Sequence, residues 1–245
     1  DSITDFWRNG GGPFAGKAVF DKHFGDWKVA NFGIAGDTTQ GVLYRLQNGE
    51  GEGFSPKAVM LMIGTNNIQA NSAAEIAEGI GAVTLKLQEC FPNAKILLLA
   101  VFPRGRAADP ARRTIDEINR TIAKLHDGES VHYLDIGEEF LDEVGNIPSD
   151  VMLDGLHPTE KGYQIWAEAV KEPLAMLLES AADDESRSES TNDREETDEQ
   201  VFSDRESAHA PIPRQDETQR DRGSRAAVSA TKSIVIETRG FTFDA

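Results

Sequence analysis

The 245-residue sequence has little cysteine and no long hydrophobic run. A single cysteine, Cys90, excludes both an intramolecular disulfide and a cysteine-based zinc cluster. It lies in an apolar helical pattern, which favours a buried structural thiol over a reactive one. No segment approaches the roughly 18 consecutive apolar residues that a membrane-spanning helix needs. We therefore expect a soluble protein without stable membrane insertion.

Basic residues are also scarce. Lysine and arginine total 25 against 42 aspartates and glutamates, which gives a formal net charge of −17. An acidic surface repels the phosphates of nucleic acids and of anionic lipids, so we expect no nucleic-acid partner. The sequence begins with Asp rather than Met and shows no signal-peptide pattern. We expect that upstream residues are absent from it, and a cytoplasmic and a secreted location both stay open.

What the sequence does contain is a regular alternation of apolar runs and helical patterns. Segments of strand length occur at residues 28–34, 58–63, 96–102 and 131–136, and those at 58–63 and 96–102 are continuous apolar runs. Between them, a capping box at residues 72–75 and the pair Asp109-Pro110 each mark the start of a helix. Strands that are apolar on both faces and separated by helices are typical of a parallel sheet covered on each side. We predict an α/β fold with a doubly wound parallel sheet, in a flavodoxin-like α/β/α sandwich.

The last quarter of the chain differs in composition. Residues 180–231 are rich in Asp, Glu, Ser, Arg and Thr and carry no periodic apolar face. Such a segment buries too little apolar surface to offset its ordering entropy, so we predict a disordered acidic linker. Residues 232–245 regain a short strand-like character. The predicted organisation is a globular domain at 1–179, the linker at 180–231 and the strand-like segment at 232–245.

Four short polar blocks lie where strands of this sheet are predicted to end, and such sheets bind ligands beyond those ends. The blocks are Asp1-Ser2, Gly33–Asp37, Gly64–Asn67 and Asp154–Pro158. Each block also has a structural alternative. The first two are compatible with helix-capping turns, the third with a plain loop, and the fourth with a loop that carries a surface histidine. Together, however, they contain the groups that ester hydrolysis through a serine requires.

Ser2 is the candidate nucleophile, and it needs a neighbouring base because a serine hydroxyl is weakly nucleophilic at neutral pH. Asp154 and His157 are three residues apart, so the carboxylate can accept from one imidazole nitrogen while the other faces the serine. A tetrahedral intermediate also needs N–H donors for its oxyanion. Gly36, Asn66 and the backbone N–H of Ser2 are the candidates. This chemistry requires no metal ion and no organic cofactor.

In this order, the four blocks resemble the SGNH (GDSL-type) hydrolase superfamily. The chain is similar to esterases related to the catalytic subunits of platelet-activating factor acetylhydrolase isoform I. The resemblance covers residues 1–179 and is carried also by Asn31–Gln40, Leu43–Glu50 and Phe102–Gly105. It implies an SGNH hydrolase-type esterase domain with Ser2 as nucleophile and His157 as the base oriented by Asp154. It further implies an oxyanion hole built from Ser2, Gly36 and Asn66, with the Phe-Pro-Arg-Gly stretch structural rather than catalytic.

The sequence departs from the family at its start. In the family, a strand precedes the serine motif and lies inside the sheet, and its loss would leave two rows of backbone groups unpaired. We expect that this first strand is missing because upstream residues are absent. The alternative is that another segment fills its position, as in a circular permutation, with residues 234–236 and 241–243 as candidates.

The sequence therefore predicts a serine esterase that hydrolyses a small acyl ester of a carbohydrate or lipid alcohol, with acetyl as the expected acyl group. Carbohydrate is slightly preferred, because no long amphipathic lid or membrane-binding stretch is present. Three alternatives stay open: a catalytically silent SGNH-fold binding domain, a protein that mainly docks partners through its acidic tail, and a flavodoxin-like nucleotide or flavin binder. The last is disfavoured because Gly10–Pro13 comes too early for a phosphate loop. A small-molecule ester is the expected partner, and a homodimer stays open.

Overall fold

The computed structural model describes residues 1–206 and 233–235. This part of the chain contains six α-helices and five strands. The helices are α1 (Ser2–Asp5), α2 (Lys17–Phe24), α3 (Thr39–Gln47), α4 (Ala73–Cys90), α5 (Pro110–Ile122) and α6 (Glu160–Glu206). The strands are β1 (Lys28–Ala30), β2 (Ala58–Leu61), β3 (Lys95–Leu99), β4 (Val131–Leu134) and β5 (Ser233–Val235). Each strand found in a predicted apolar run is shorter than that run.

The strands form one parallel sheet in the order β1-β5-β2-β3-β4. Every residue of β2 is buried, and so are four of the five residues of β3. Burial on both faces explains the unbroken apolar runs, because each face of a parallel sheet is covered by helices. The predicted α/β fold with a parallel sheet is confirmed.

Two hydrophobic clusters lie on opposite faces of the sheet. Met60 and Leu97 belong to the cluster that contains Trp166 of α6. The neighbouring strand residues Val59 and Ile96 belong to the cluster formed with α3, α4 and α5. This division follows from the period of two in a strand, which sends successive side chains to opposite faces.

Helix α4 shows how well local signals predict an element. Ser72 caps its first turn, and Glu75 completes the predicted capping box. Cys90, the last residue of α4, is partly buried against the second cluster. The expectation of a buried thiol was therefore only partly right, because the end of the helix leaves the core. No helix in the described ranges is long and apolar enough to cross a bilayer.

The interior strand of the sheet comes from the far end of the sequence. Ile234 of β5 pairs with Val29 on one side and with Ala58 on the other. We expected the strand at this position to be absent. Instead β5, a C-terminal strand, occupies it, which was the alternative considered for the sequence. The physical reason is that β1 and β2 would otherwise each leave a row of backbone groups without partners. Residues 236 and 241–243, also candidates for this strand, lie outside the described residues.

Helix α6 continues through Pro173 to Glu206. The disorder predicted for the acidic segment at 180–231 stays a prediction. A helix that is already nucleated gains one hydrogen bond for each residue it adds, and Glu, Arg and Ala are good helix formers. Residues 207–232 lie outside the described residues, and there the linker stays a prediction. The domain boundaries at 179 and 231 also stay predictions.

Candidate active site

Ser2 lies at the first position of α1. Asp1 caps this helix, because its Oδ1 accepts the N–H of Ile3 at 3.0 Å. The capping role foreseen as an alternative for the Asp-Ser pair thus belongs to Asp1, and the Ser2 hydroxyl is available for another contact. Ser2 is only 7% exposed, and its Oγ lies 2.8 Å from Nε2 of His157. The fold therefore joins two groups that are 155 residues apart in sequence.

The imidazole of His157 also contacts the predicted acid. Its Nδ1 lies 2.7 Å from Oδ2 of Asp154. An ionised carboxylate can only accept a hydrogen bond, so Nδ1 carries the hydrogen and Nε2 of the neutral ring is left as an acceptor. The Ser2 hydroxyl then donates to Nε2. In this arrangement the histidine can take the serine proton during an attack.

The Asp154 carboxylate is held in its ionised form by the loop that carries it. Oδ1 accepts the N–H of Leu156 at 3.0 Å and that of His157 at 2.8 Å. Burial acts to raise the pKa of this carboxyl, but the hydrogen bonds from the His157 ring and from both N–H groups outweigh it and lower the pKa below its ordinary value. At neutral pH the acid therefore keeps its charge beside the imidazole.

Gly36 and Asn66 lie on the loops that follow β1 and β2. Gly36 has a φ of 82°, in the left-handed region that favours glycine, and a Cβ built there would meet no atom within 4 Å. Its backbone thus borders open space. Asn66 Nδ2 donates to the carbonyl of Asp37 at 2.8 Å, which joins the two loops. An amide has two hydrogens, so this bond uses one of the donors that Asn66 can offer.

The loop of Gly36 is also hydrogen-bonded to α1, the helix that begins with Ser2. The Ala35 N–H donates to Oδ2 of Asp5 at 2.9 Å, and Asn31 Nδ2 donates to the carbonyl of Thr4 at 2.9 Å. These bonds hold the loop against α1, because Thr4 and Asp5 follow Ser2 by two and three residues in that helix. The sequence analysis missed the roles of Asn31 and Asp5, although Asn31 begins one of the phrases that carry the family resemblance.

Two arginines connect the loop of Asn66 with the loop at residues 103–109. Arg104 Nη1 donates to the carbonyl of Thr65 at 3.0 Å, and Arg112 Nε donates to the carbonyl of Arg104 at 2.8 Å. The Gly105 N–H in turn donates to the carbonyl of Gly155 at 2.7 Å. This chain of bonds runs from the neighbour of Asn66 to the neighbour of Asp154. These contacts join the loops, and the structural role expected for the Phe-Pro-Arg-Gly stretch stays a prediction.

Two phenylalanines that the sequence analysis missed flank the imidazole. The ring centroids of Phe6 and Phe14 each lie 5.2 Å from that of His157. Phe6 follows Ser2 by four residues, a helical spacing that could have indicated a shared face. Nothing in the local sequence connects Phe14 to the site.

An open cleft of about 790 Å³ borders the acid of the site. It lies between the loops 105–110 and 146–155, and Asp154 and Gly155 line it. Of the Ser2–His157–Asp154 cluster, only Asp154 is among the residues that line this cleft.

Comparison with known proteins agrees with this architecture. Residues 1–165 match the profile of the GDSL-like Lipase/Acylhydrolase family. The chain is 37% identical over 167 residues to platelet-activating factor acetylhydrolase IB subunit alpha2 of Rattus norvegicus. The aligned region covers 68% of this chain and 72% of the rat protein.

Solved structures show the same fold at lower sequence identity. A member of the lipolytic protein G-D-S-L family from Veillonella parvula superposes with a TM-score of 0.57 at 20% identity, over 70% of this chain and 93% of that one. A catalytic mutant of an acetylxylan esterase from Geobacillus stearothermophilus gives 0.52 at 23% identity, over 69% and 88% of the two chains. The profile match covers more than half of the sequence, and the chain belongs to the GDSL-like lipase/acylhydrolase family.

Proposed function

We propose that this chain, a serine ester hydrolase of its family, removes a small acyl group, in the first place acetyl, from a carbohydrate or lipid alcohol. The observation that carries the proposal is the continuous contact from Ser2 Oγ through His157 to Asp154, with distances of 2.8 Å and 2.7 Å. The acetyl preference is supported by the name of the rat relative, an acetylhydrolase.

In the proposed reaction, Nε2 of His157 takes the hydroxyl proton of Ser2 while Oγ attacks the carbonyl carbon of the ester. The tetrahedral intermediate collapses, the bond to the leaving oxygen breaks, and Nε2 delivers its proton to that oxygen. The alcohol departs and an acyl-serine remains. Nε2 then takes a proton from a water molecule, and the water oxygen attacks the carbonyl carbon of the acyl-serine. The bond between that carbon and Oγ breaks, Nε2 returns its proton to Oγ, and the carboxylic acid departs.

The remaining site residues stabilise the charges that develop. Asp154 balances the imidazolium of His157 and fixes its tautomer. The backbone N–H groups of Ser2 and Gly36 and the side-chain amide of Asn66 donate to the oxyanion. Loss of one such donor typically lowers the rate by about 10²–10³-fold.

The proposal is tested by labelling with a fluorophosphonate and by turnover of p-nitrophenyl esters of increasing acyl length. We expect labelling at Ser2 and faster turnover of the acetate than of the octanoate. Ser2→Ala should abolish labelling and lower kcat by roughly 10⁴-fold or more. The exposed Ser55 provides a matched control, since Ser55→Ala should leave both readouts unchanged.

Two results would contradict the proposal. A folded wild-type protein that is not labelled would indicate a catalytically silent binding domain. Labelling combined with a preference for octanoate would replace the acetyl ester with a longer lipid ester.

A further inference from the structure

The glycine-rich stretch Gly10–Pro13 carries a phenylalanine into the site. The loop around it is closed at its base, because the Lys17 N–H donates to the carbonyl of Asn9 at 3.0 Å. Gly16 packs so closely that a Cβ there would lie 2.8 Å from Cα of Trp7. The base of the loop is thus anchored to the turn that follows α1. Its tip, residues 10–13, is exposed.

Phe14 follows this tip and fills no core space. It belongs to neither hydrophobic cluster of the described residues and is only partly buried. Its ring stacks on Phe6, with centroids 6.2 Å apart and planes at 17°, and it contacts the His157 ring at 5.2 Å and 50°. Phe6, by contrast, also packs against the first core cluster. Phe14 is therefore the member of the pair whose position is explained by the site rather than by the core.

The proton transfer places the leaving group next to these rings. Nε2 of His157 must come within about 2.6–3.2 Å of the leaving oxygen to protonate it. The carbon atoms bonded to that oxygen then lie within a few ångströms of the imidazole. The centroids of Phe6 and Phe14 each lie 5.2 Å from that of the same imidazole, so these rings are close enough to contact those carbons.

We propose that Phe14, together with Phe6, is the platform that binds the leaving alcohol, and that it selects an uncharged alcohol with an apolar face such as the C–H face of a sugar ring. This inference rests on the proposed function of the site. An aromatic face carries negative potential and packs against polarised C–H groups, whereas it offers no donor to a phosphate or carboxylate. The net charge of −17 further disfavours an anionic alcohol.

The experiment compares esters that share the acetyl group and differ in the alcohol: an acetylated methyl xylopyranoside, the same kind of ester on a sugar phosphate, and ethyl acetate. We expect the wild type to prefer the neutral sugar ester over both others. Phe14→Ala should lower the ratio of kcat/KM for the sugar ester to that for ethyl acetate about 10-fold. Phe14→Trp should retain the preference, since it keeps an aromatic face.

The control variant is Tyr44→Ala, which removes an aromatic side chain that is 66% exposed on α3. It should leave the ratio of the two esters unchanged. The thermal midpoint of Phe14→Ala is measured in parallel, and it should stay close to that of the wild type because Phe14 is outside the core.

Labelling of Ser2 by a fluorophosphonate separates this inference from the proposed function. The labelling reaction releases fluoride and no alcohol, so it requires the nucleophile and the base but not the binding of an alcohol on Phe14. If Ser2 of the wild type is not labelled, the proposed function fails. If Ser2 is labelled in the wild type and in Phe14→Ala but the sugar-to-ethyl ratio is the same in both, the platform is overturned. A preference of the wild type for the sugar phosphate, or loss of labelling in Phe14→Ala, would overturn it as well.

Discussion

The imidazole of His157 is constrained on three sides. Its two nitrogens contact Ser2 and Asp154, and the rings of Phe6 and Phe14 pack beside it. Such a ring has one tautomer and one orientation available, so the base requires little rearrangement when it accepts a proton. The esterase activity of the protein should therefore depend strongly on the negative charge of Asp154, which contacts this ring.

The first prediction concerns that charge. Asp154→Asn keeps the size of the side chain and an oxygen that can accept the N–H groups of Leu156 and His157. It removes the negative charge and favours the wrong imidazole tautomer, so we expect kcat to fall about 10⁴-fold while KM changes little. Steady-state kinetics with p-nitrophenyl acetate measures both constants. A loss of less than 10-fold would show that Asp154 does not orient the base.

The same residue predicts a pH dependence of stability. The folded state lowers the pKa of the Asp154 carboxyl, so its contribution to stability is fully present above the ordinary value of about 3.9 and is lost as pH falls through the folded pKa. The free energy of unfolding of the wild type relative to Asp154→Asn should thus decrease as pH falls below about 4. Urea unfolding at pH 7, 5, 4 and 3 measures this difference. An advantage that grows toward low pH would contradict the assigned direction.

Among the secondary-structure elements, helix α6 is hydrogen-bonded to α1, the helix that carries Ser2. The Tyr163 hydroxyl donates to the carbonyl of Ile3 at 2.7 Å, one residue after Ser2. Tyr163 is fully buried, and burial, together with the nearby charge of Asp5, raises the pKa of its phenol well above the ordinary value. The hydroxyl therefore stays a donor at any pH at which the protein is folded. Tyr163 follows His157 by six residues, so the first turn of α6 lies close to His157 in sequence. Through Tyr163 the same turn is also hydrogen-bonded next to Ser2.

Tyr163→Phe tests this connection. The substitution leaves the buried carbonyl of Ile3 without that donor, so we expect the free energy of unfolding to fall by about 1–3 kcal/mol. We also expect kcat to fall more than KM rises, because the reacting groups lose alignment rather than binding surface. Tyr133→Phe is the matched control, since the Tyr133 hydroxyl lies 3.5 Å from Asp135 at the surface. Equal effects of the two variants on kcat would contradict the positioning role of Tyr163.

At the scale of the whole molecule, the sheet depends on a strand that comes last in the sequence. Among the described strands, β1 pairs with β5, and β5 also pairs with β2. The loops that carry Gly36 and Asn66 follow β1 and β2. Because neighbouring strands lie about 4.8 Å apart, β5 sets the spacing between these two strands.

Ile234→Pro tests the interior position of β5. Proline removes a backbone donor and is not tolerated in the middle of a sheet, so this variant should be destabilised by about 3 kcal/mol or more and should lose esterase activity. Ile234→Val keeps the N–H and should behave as the wild type does. Urea unfolding and turnover of p-nitrophenyl acetate report the two effects. Equal stability of both variants would show that another segment completes the sheet.

Much of this fold could be predicted from local patterns. The all-apolar runs at β2 and β3 indicated buried parallel strands, since only a sheet covered on both faces buries every residue. The capping box at Ser72 located the start of α4 because its hydrogen bonds join residues three apart. No sequence signal indicated that α6 continues past residue 180, because a polar composition determines whether a segment can form a core but not whether an existing helix continues into it.

Spacing along the chain was enough to predict the local geometry of the candidate site. Asp154 and His157 are three residues apart, so one loop can join carboxylate and imidazole. The contacts between distant segments could not be predicted in this way: the Ser2–His157 hydrogen bond, the entry of β5 between β1 and β2, and the packing of Phe14 on His157. Those contacts depend on which elements become neighbours, and that choice is made by burial and backbone pairing over the whole chain.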